Sequence, residues 1–417
     1  MNISKIHNCY GCGVCAISCT KNIISIELND NGFYEPRISD VNKCTDCGLC
    51  FDVCAYSHDE ISLQNLEIHS YAAWSNDSAV RRKCSSGGVG FELGRMMLSK
   101  GYKVCGVRYN AEVVRAEHYI ATTLEELIQS IGSKYIQSYT VDGFKGISRK
   151  EKYLVTGTPC QIDSFRRYIR RFRVEDNFVL MDFFCHGVPS MFVWQKYLKD
   201  VEKVVGKVTY ASWRNKWRGG WHDSWAIGID GEKHGKKVNW HDSYNSLIKE
   251  RKTFVNSRLS QGDKFYALFL GDGCLGGACY DHCKYKYKHS SADIRIGDAW
   301  GTCYKKDEDG VSAVITFTSI GNEWLKKANL HIEQKPFDVV AELQIKKASK
   351  RTLITKILMK ELKKESSTID DVYAIQLLYN KLKRLIRRIS NPKKTIVNFF
   401  NRFSSSHSNK LNAPTLK

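Results

Sequence analysis

The feature that most constrains this chain is one cysteine spacing written twice in its first sixty residues. CYGCGVCAISCT occupies residues 9–20 and CTDCGLCFDVCA occupies residues 44–55. Each reads Cys-x2-Cys-x2-Cys-x3-Cys, first with Cys9, Cys12, Cys15 and Cys19, then with Cys44, Cys47, Cys50 and Cys54. A packed core does not require that rhythm, and a disulfide framework seldom repeats it so closely. Half of the chain's 16 cysteines fall in these two runs. The N-terminus, MNISKIHNCYGC, lacks the charged-then-apolar layout of a secretory signal, so the expected location is the cytoplasm. Thiols stay reduced there, and clustered ones point to metal or redox chemistry.

The spacing is that of bacterial two-cluster ferredoxins. A loop wraps one corner of an iron–sulfur cube, three close thiolates take three irons, and the fourth lies a helical turn on and reaches the other cluster. The expected ligand sets are therefore Cys9, Cys12, Cys15 and Cys54 for one [4Fe–4S] cluster, and Cys44, Cys47, Cys50 and Cys19 for the second. Gly11, Gly13 and Gly48 let backbone amides approach the sulfurs. Between the runs, IISIEL alternates, DNG turns and FYEPRI returns, which predicts a hairpin. Thr20 and Ala55 stand where proline often follows the fourth cysteine. The alternative is a pair of structural zinc sites, since two Cys-x2-Cys pairs supply four ligands.

The 417 residues, 42% hydrophobic, are enough for two or three domains with real cores. No apolar run reaches about 18 residues, so no membrane-spanning helix is expected. KVCGVRY, KYLVTG, FVLMDFFC and KVTYASW read as strands; FELGRMMLSKG and TLEELIQSIG read as helices ending at glycine. The expected fold class is α+β: a two-cluster ferredoxin module, an α/β flavin-type domain and a basic helical tail. The expected divisions are 1–65, 66–150, 151–345 and 346–417. No G-x-G-x-x-G follows a strand and there is no Walker loop.

Four constellations stand out in the middle of the chain. Cys84-Ser85-Ser86-Gly87-Gly88 opens a helix, where free amides can hold an anion or simply make an N-cap. Gly157-Thr158-Pro159-Cys160-Gln161 and Cys185-His186-Gly187-Val188-Pro189 each follow a strand, as sites at a sheet's carboxyl edge do. Cys279-Tyr280-Asp281-His282-Cys283, with Cys274 upstream, precedes SADIRIGDAWG at 291–301. These thiols are either a third ligand set or separate buried cysteines.

The ordered set of two-cluster module, SSGG, SKYIQS (133–138), GTPCQI (157–162), CHGVPS (185–190) and SADIRIGDAWG resembles the coenzyme F-420 hydrogenase/dehydrogenase beta-subunit family over roughly residues 5–320. It looks closest to a bacterial branch encoded with polysaccharide-assembly enzymes. The resemblance implies a flavin, usually FAD, with Ser85, Ser86, Gly87, Gly88, Lys134, Tyr135 and Thr158 as contacts. It also implies a third [4Fe–4S] cluster on Cys160, Cys185, Cys279 and Cys283; the last pair is Cys-x3-Cys here against the family's Cys-x2-Cys, which keeps Cys274 as a candidate. The expected function is an iron–sulfur flavoprotein oxidoreductase that takes electrons from a reduced carrier, such as ferredoxin or a redox partner subunit, to a small organic acceptor in polysaccharide biosynthesis. The alternative is a non-catalytic electron-transfer subunit of a larger hydrogenase or dehydrogenase complex.

SWRNKWRGGWHDSW (212–225) offers Trp213, Arg214, Lys216, Trp217 and Trp221 for an acceptor pocket, or for packing a domain edge. His222 and His241 are candidate proton donors. Net charge is +20, and residues 346–417 hold 18 Lys and Arg against 4 Asp and Glu. That tail mixes bases with apolar residues, as helices on an anionic membrane face do; the other reading is a solvated helix. RRYIRRFR (166–173) is basic too, but no nucleic-acid module accompanies it, so nucleic acid is not an expected partner. The end, SSSHSNKLNAPTLK, reads as disordered.

Overall fold

The computed structural model describes residues 2–64, 68–216, 220–234 and 255–390. Strand β1 (Ile24–Leu28) pairs antiparallel with β2 (Tyr34–Ile38), with Ile26 opposite Pro36. The Asn29 side chain closes the turn by accepting from the amides of Asn31 and Phe33. Ile24 and Ile26 turn inward onto Ile3, Ala16 and Val141. Two short helices, Val14–Ser18 and Leu49–Asp52, carry the cysteine runs, and both start from a left-handed glycine, Gly13 and Gly48.

The body is built on β3 (His69–Ser75), β4 (Lys103–Asn110), β5 (Arg115–Ala121), β6 (Ser138–Tyr139), β7 (Tyr153–Thr156), β8 (Phe178–Phe183), β12 (Ile294–Asp298), β13 (Ser312–Thr316) and β14 (Leu330–Gln334). They form one sheet in the order β14-β3-β13-β12-β8-β7-β4-β5-β6. Segments 66–150 and 151–345 thus interleave their strands in a single sheet. The centre, β4-β7-β8-β12, is parallel, and its strands are mostly apolar on both faces, with the paired Asp182 and Arg295 as exceptions on β8 and β12. Side chains alternate accordingly. Leu154, Val179 and Met181 face the Val89–Ser99 helix with its Phe91, Leu93 and Met97. Tyr153, Val155, Phe178 and Leu180 face Ile162, Phe165 and Ile169 of the Pro159–Arg171 helix. Full burial of a side chain such as Phe165 contributes about 1.5–3 kcal/mol.

The Pro159–Arg171 helix begins where sequence chemistry places it. Thr158 and Gln161 make a reciprocal capping box, Pro159 fills the first turn, and Arg170 and Arg171 sit in the last. KVTYASW lies in a different sheet: β9 (Val208–Trp213), β10 (Ala226–Gly231) and β11 (Val255–Arg258), in the order β11-β10-β9. Its core joins Trp213 to Trp194 and Phe265. The tail contains the helices Leu353–Lys363 and Ile369–Ser390. The first is docked, with Ile354, Leu358 and Leu362 in that same core. Among the described residues, no helix is long and apolar enough to cross a membrane.

Candidate metal centre

The two cysteine runs exchange their last members in space. Burial, followed by the neighbouring thiols Cys12, Cys9 and Cys54, pushes Cys15 well above its usual range. Cys12 is pushed up to about 11 by burial and then by Cys54. Cys50 is raised by burial and then by Cys19, Cys47 and Cys44. The structure therefore groups Cys9, Cys12, Cys15 and Cys54 around a hollow of about 350 Å³, and Cys19, Cys44, Cys47 and Cys50 as a second group. The first group is mostly buried; in the second, Cys47 is exposed. Cys15 and Cys50 are electrostatic neighbours, so the two groups adjoin.

All of these cysteines are free thiols. Four thiols around one hollow suit bound iron, whose charge stabilises thiolates. The Gly11 amide lies 3.4 Å from the Cys9 sulfur, and Gly11 and Gly13 let the loop pack closely on its neighbours. Both have positive φ, and a Cβ there would strike the Tyr34 carbonyl oxygen and the Thr140 hydroxyl. Among the described residues, no three His, Cys, Asp or Glu side chains converge as a site for one ion.

The parallel strands β7 and β8 are neighbours, so the loops after them emerge on one sheet edge. Those loops carry Cys160 and Cys185. Cys279 and Cys283 come from the Gly277–Asp281 helix and its end, which the Leu275–Pro189 bridge and the Gly276 amide on the Val188 carbonyl (3.0 Å) hold against the second loop. All four thiols line a hollow of about 770 Å³, into which Cys9 of the first group also faces. Burial, then Cys185 and Cys283, pushes Cys279 up to about 12. Cys274 is pushed to about 12 by burial alone, with no other thiol acting on it, and it does not line the hollow. Cys12 acts on Cys160, so this third group adjoins the first. Lys286 donates to the Cys185 and His186 carbonyls at 2.6 and 3.0 Å and supplies positive charge beside the thiols.

Of the expected flavin contacts, only Thr158 lines this hollow, with its hydroxyl 3.2 Å from the Cys160 sulfur. The others form a separate network. Ser85 Oγ accepts from the Ser133 amide at 3.0 Å, Ser86 Oγ donates to the Val311 carbonyl at 2.8 Å, and the Gly87 amide donates to Ser312 Oγ at 3.0 Å. The Gly87 amide is therefore engaged within the protein and not free to hold an anion. Gly88 caps the following helix in the left-handed region. Lys134 donates to three carbonyls, those of Gln129, Ile131 and Gly132, and burial pulls it down to about 7. Lys216 donates to the Ser86 and Arg81 carbonyls at 2.5 and 2.7 Å, and burial pulls it to about 7 as well. Both lysines thus bond to backbone carbonyls rather than to carboxylates. Lys216 also donates to the Asp309 carbonyl, so each lysine spends all three donors on backbone carbonyls beside the Ser85–Gly88 turn.

The described tryptophans of the aromatic stretch, Trp213, Trp221 and Trp225, pack among other rings, and none of them lines the thiol hollow. Trp213 is core. Arg214 grips Asp298 through two bonds of 2.8 and 2.9 Å, lies against both Trp225 and Trp300, and is 3.3 Å from the Tyr135 hydroxyl. Trp221 stacks on Trp300 at 4.7 Å and donates to Asp298 at 2.8 Å. His222 lies 3.4 Å from Glu308. Trp217 and His241 lie outside the described residues.

Several residues that organise these groups were not singled out as candidates, although Gln137 lies in SKYIQS and Asp293 and Arg295 lie in SADIRIGDAWG. Gln137 accepts from the Tyr34 amide at 2.9 Å and donates to the Tyr10 carbonyl at 3.1 Å, stitching the hairpin to the body. Arg295 and Asp182, both fully buried, form a bidentate pair at 2.8 and 2.7 Å under the Cys185 loop. Asp293 accepts from the Leu180 amide at 2.7 Å. A signal for these existed: SADIRIGDAWG puts charges where a central strand is normally apolar, and buried charges must be paired.

Three family models match this chain. "4Fe-4S dicluster domain" covers residues 8–58, and the N-terminal and C-terminal models of the "Coenzyme F420 hydrogenase/dehydrogenase" beta subunit cover 70–143 and 150–339. The coenzyme F420 hydrogenase subunit beta of Methanococcus voltae is 38% identical over 72 residues, which are 16% of this chain and 26% of that protein. The chain thus spans about a quarter of that curated relative. A chain of the xenon-derivatised F420-reducing [NiFe] hydrogenase complex from Methanosarcina barkeri is 20% identical, with 73% of this chain and 89% of that one covered and a TM-score of 0.43.

Proposed function

This chain belongs to the coenzyme F420 hydrogenase/dehydrogenase beta-subunit family and carries a 4Fe–4S dicluster domain, and from that premise we propose that it is an iron–sulfur flavoprotein that relays electrons from a reduced carrier or partner subunit to a small organic acceptor. The observation that carries the reading is the adjacency of three thiol groups, running from the exposed Cys47 inward to Cys160. When bound, [4Fe–4S] clusters supply single-electron steps and a flavin supplies two-electron chemistry.

The protein's own part is positional. Cys9, Cys12, Cys15 and Cys54 would hold one cluster, Cys19, Cys44, Cys47 and Cys50 a second, and Cys160, Cys185, Cys279 and Cys283 a third. The residues that the resemblance assigns to a flavin are Ser85, Ser86, Gly87, Gly88, Lys134, Tyr135 and Thr158, and of these Thr158 lines the thiol hollow. Burial of Cys12, Cys15 and Cys54 keeps water from most of the first thiol group, the third is half-buried, and exposure of Cys47 in the second offers an entry point. The relay-only reading is favoured by a specific observation: apart from Thr158, the expected flavin contacts are bonded within the protein and stand off the thiol hollow. Anaerobically purified full-length protein separates the two. Acid extraction that releases about one flavin per chain, with bleaching of the cluster absorbance on adding reduced ferredoxin, supports the flavoprotein. Bleaching without flavin leaves a relay, and no bleaching rejects both.

For the tail we propose contact with an anionic membrane face. Leu378, Leu382, Leu385 and Ile389 recur at helical spacing, and each is more than half exposed. Exposed Lys381, Lys383 and Arg384 lie among them. Co-sedimentation with vesicles containing anionic lipid, lost in Leu382→Glu, supports this; no sedimentation of the native chain rejects it.

A further inference from the structure

The Pro159–Arg171 helix belongs to the body, yet one of its side chains enters the ferredoxin-like module. Ser164 is fully buried. A serine inside a helix usually bonds back to a carbonyl one turn earlier. The bonds of Ser164 run elsewhere. Its oxygen lies 3.2 Å from the sulfur of Cys12 and accepts the Ala55 amide proton at 3.1 Å. Those partners are 152 and 109 residues away in sequence. Cys12 belongs to the first thiol group, and Ala55 directly follows Cys54 of that group. One hydroxyl therefore touches both ends of the set.

The hydrogen count fixes its role. A ligating cysteine is a thiolate and has no proton to give. The serine oxygen is already an acceptor from Ala55, and its single proton remains free to point at Cys12 Sγ. We propose that Ser164 donates a hydrogen bond to the Cys12 thiolate and thereby raises the reduction potential of the cluster held by Cys9, Cys12, Cys15 and Cys54. A bond to a coordinating sulfur withdraws charge from it and favours the more negative, reduced state. On this account the body sets the potential of a centre whose ligands all lie in the module. Thr158 stands in the same relation to Cys160, at 3.2 Å, at the start of the same helix. Ser164 is a tuning residue and touches no substrate.

The proposal rests on the reading that the first thiol group binds a [4Fe–4S] cluster, and the test separates the two. Full-length native protein, Ser164→Ala and Ser164→Thr are purified without oxygen, assayed for iron and sulfide, and titrated with EPR detection. The inference expects unchanged iron, a lower midpoint for one centre alone in Ser164→Ala, and return toward the native value in Ser164→Thr, which restores the hydroxyl. Where Ser164→Ala fails to retain iron, Ser164→Gly takes its place; lacking the hydroxyl, it must give a midpoint below the native value for that centre. Full iron with an unmoved midpoint overturns the inference, as does an equal shift in the alanine and threonine variants. Absence of iron from the native protein would instead overturn the underlying reading.

Discussion

Residues 9–54 gather two thiol groups from a short local repeat, whereas Cys160, Cys185, Cys279 and Cys283 come from three separate elements of a larger fold. In the first region the ligands and the loops that shape them are one piece of sequence. Gly13 and Gly48 start the helices, and the β1–β2 hairpin closes the frame. In the second, nothing local brings the cysteines together. Their meeting depends on β7 and β8 being parallel neighbours and on a buried Arg295–Asp182 pair beneath them. The difference teaches that the third group should be the more fragile, because it inherits every weakness of the sheet.

Cysteine replacements probe the comparison most strongly. Cys54→Ser should remove about four irons per chain, and the loss should fall on the first group despite Cys54 lying in the second run. Iron analysis with EPR checks this; loss from the second group instead would undo the crossed assignment. Cys279→Ser should cost about four irons as well, while Cys274→Ser should cost none, because Cys274 stands apart from the hollow. Equal loss in both would mean the third group is misassigned.

Arg295→Met tests fragility. It leaves Asp182 as an unpaired buried carboxylate, at a cost of about 3–5 kcal/mol. Urea unfolding should show that loss, and iron should leave the third group before the first two. A smaller effect is expected from Gln137→Ala, which strips a buried amide of its acceptor at the junction of the two regions and costs about 1–3 kcal/mol. There the unfolding midpoint should fall while all iron is retained; iron loss confined to the first group would show that the junction shapes that site.

The two regions also differed in how much of them the sequence disclosed. The cysteine spacing and the alternation of IISIEL and FYEPRI carry their own geometry, so the module was legible from short stretches. The strands KYLVTG and FVLMDFFC were legible as strands, since each is a short apolar run ended by turn residues. Their adjacency was not, because strand order is a property of long-range pairing. KVTYASW likewise read correctly as a strand, while its place in a second sheet did not show. The tryptophans of 212–225 suggested a pocket, but burial against Trp194 and Trp300 is decided by elements distant in sequence. Gln137 stood inside SKYIQS but its role did not show, and Ser164 had no signature at all, since a lone polar residue announces nothing until its partner is in view.

The most direct test is the iron and acid-labile sulfide content of the full-length chain purified without oxygen. Three [4Fe–4S] clusters predict about twelve of each per chain. Zinc in place of iron, or about eight irons with Cys160, Cys185, Cys279 and Cys283 all open to thiol labelling, would contradict the account.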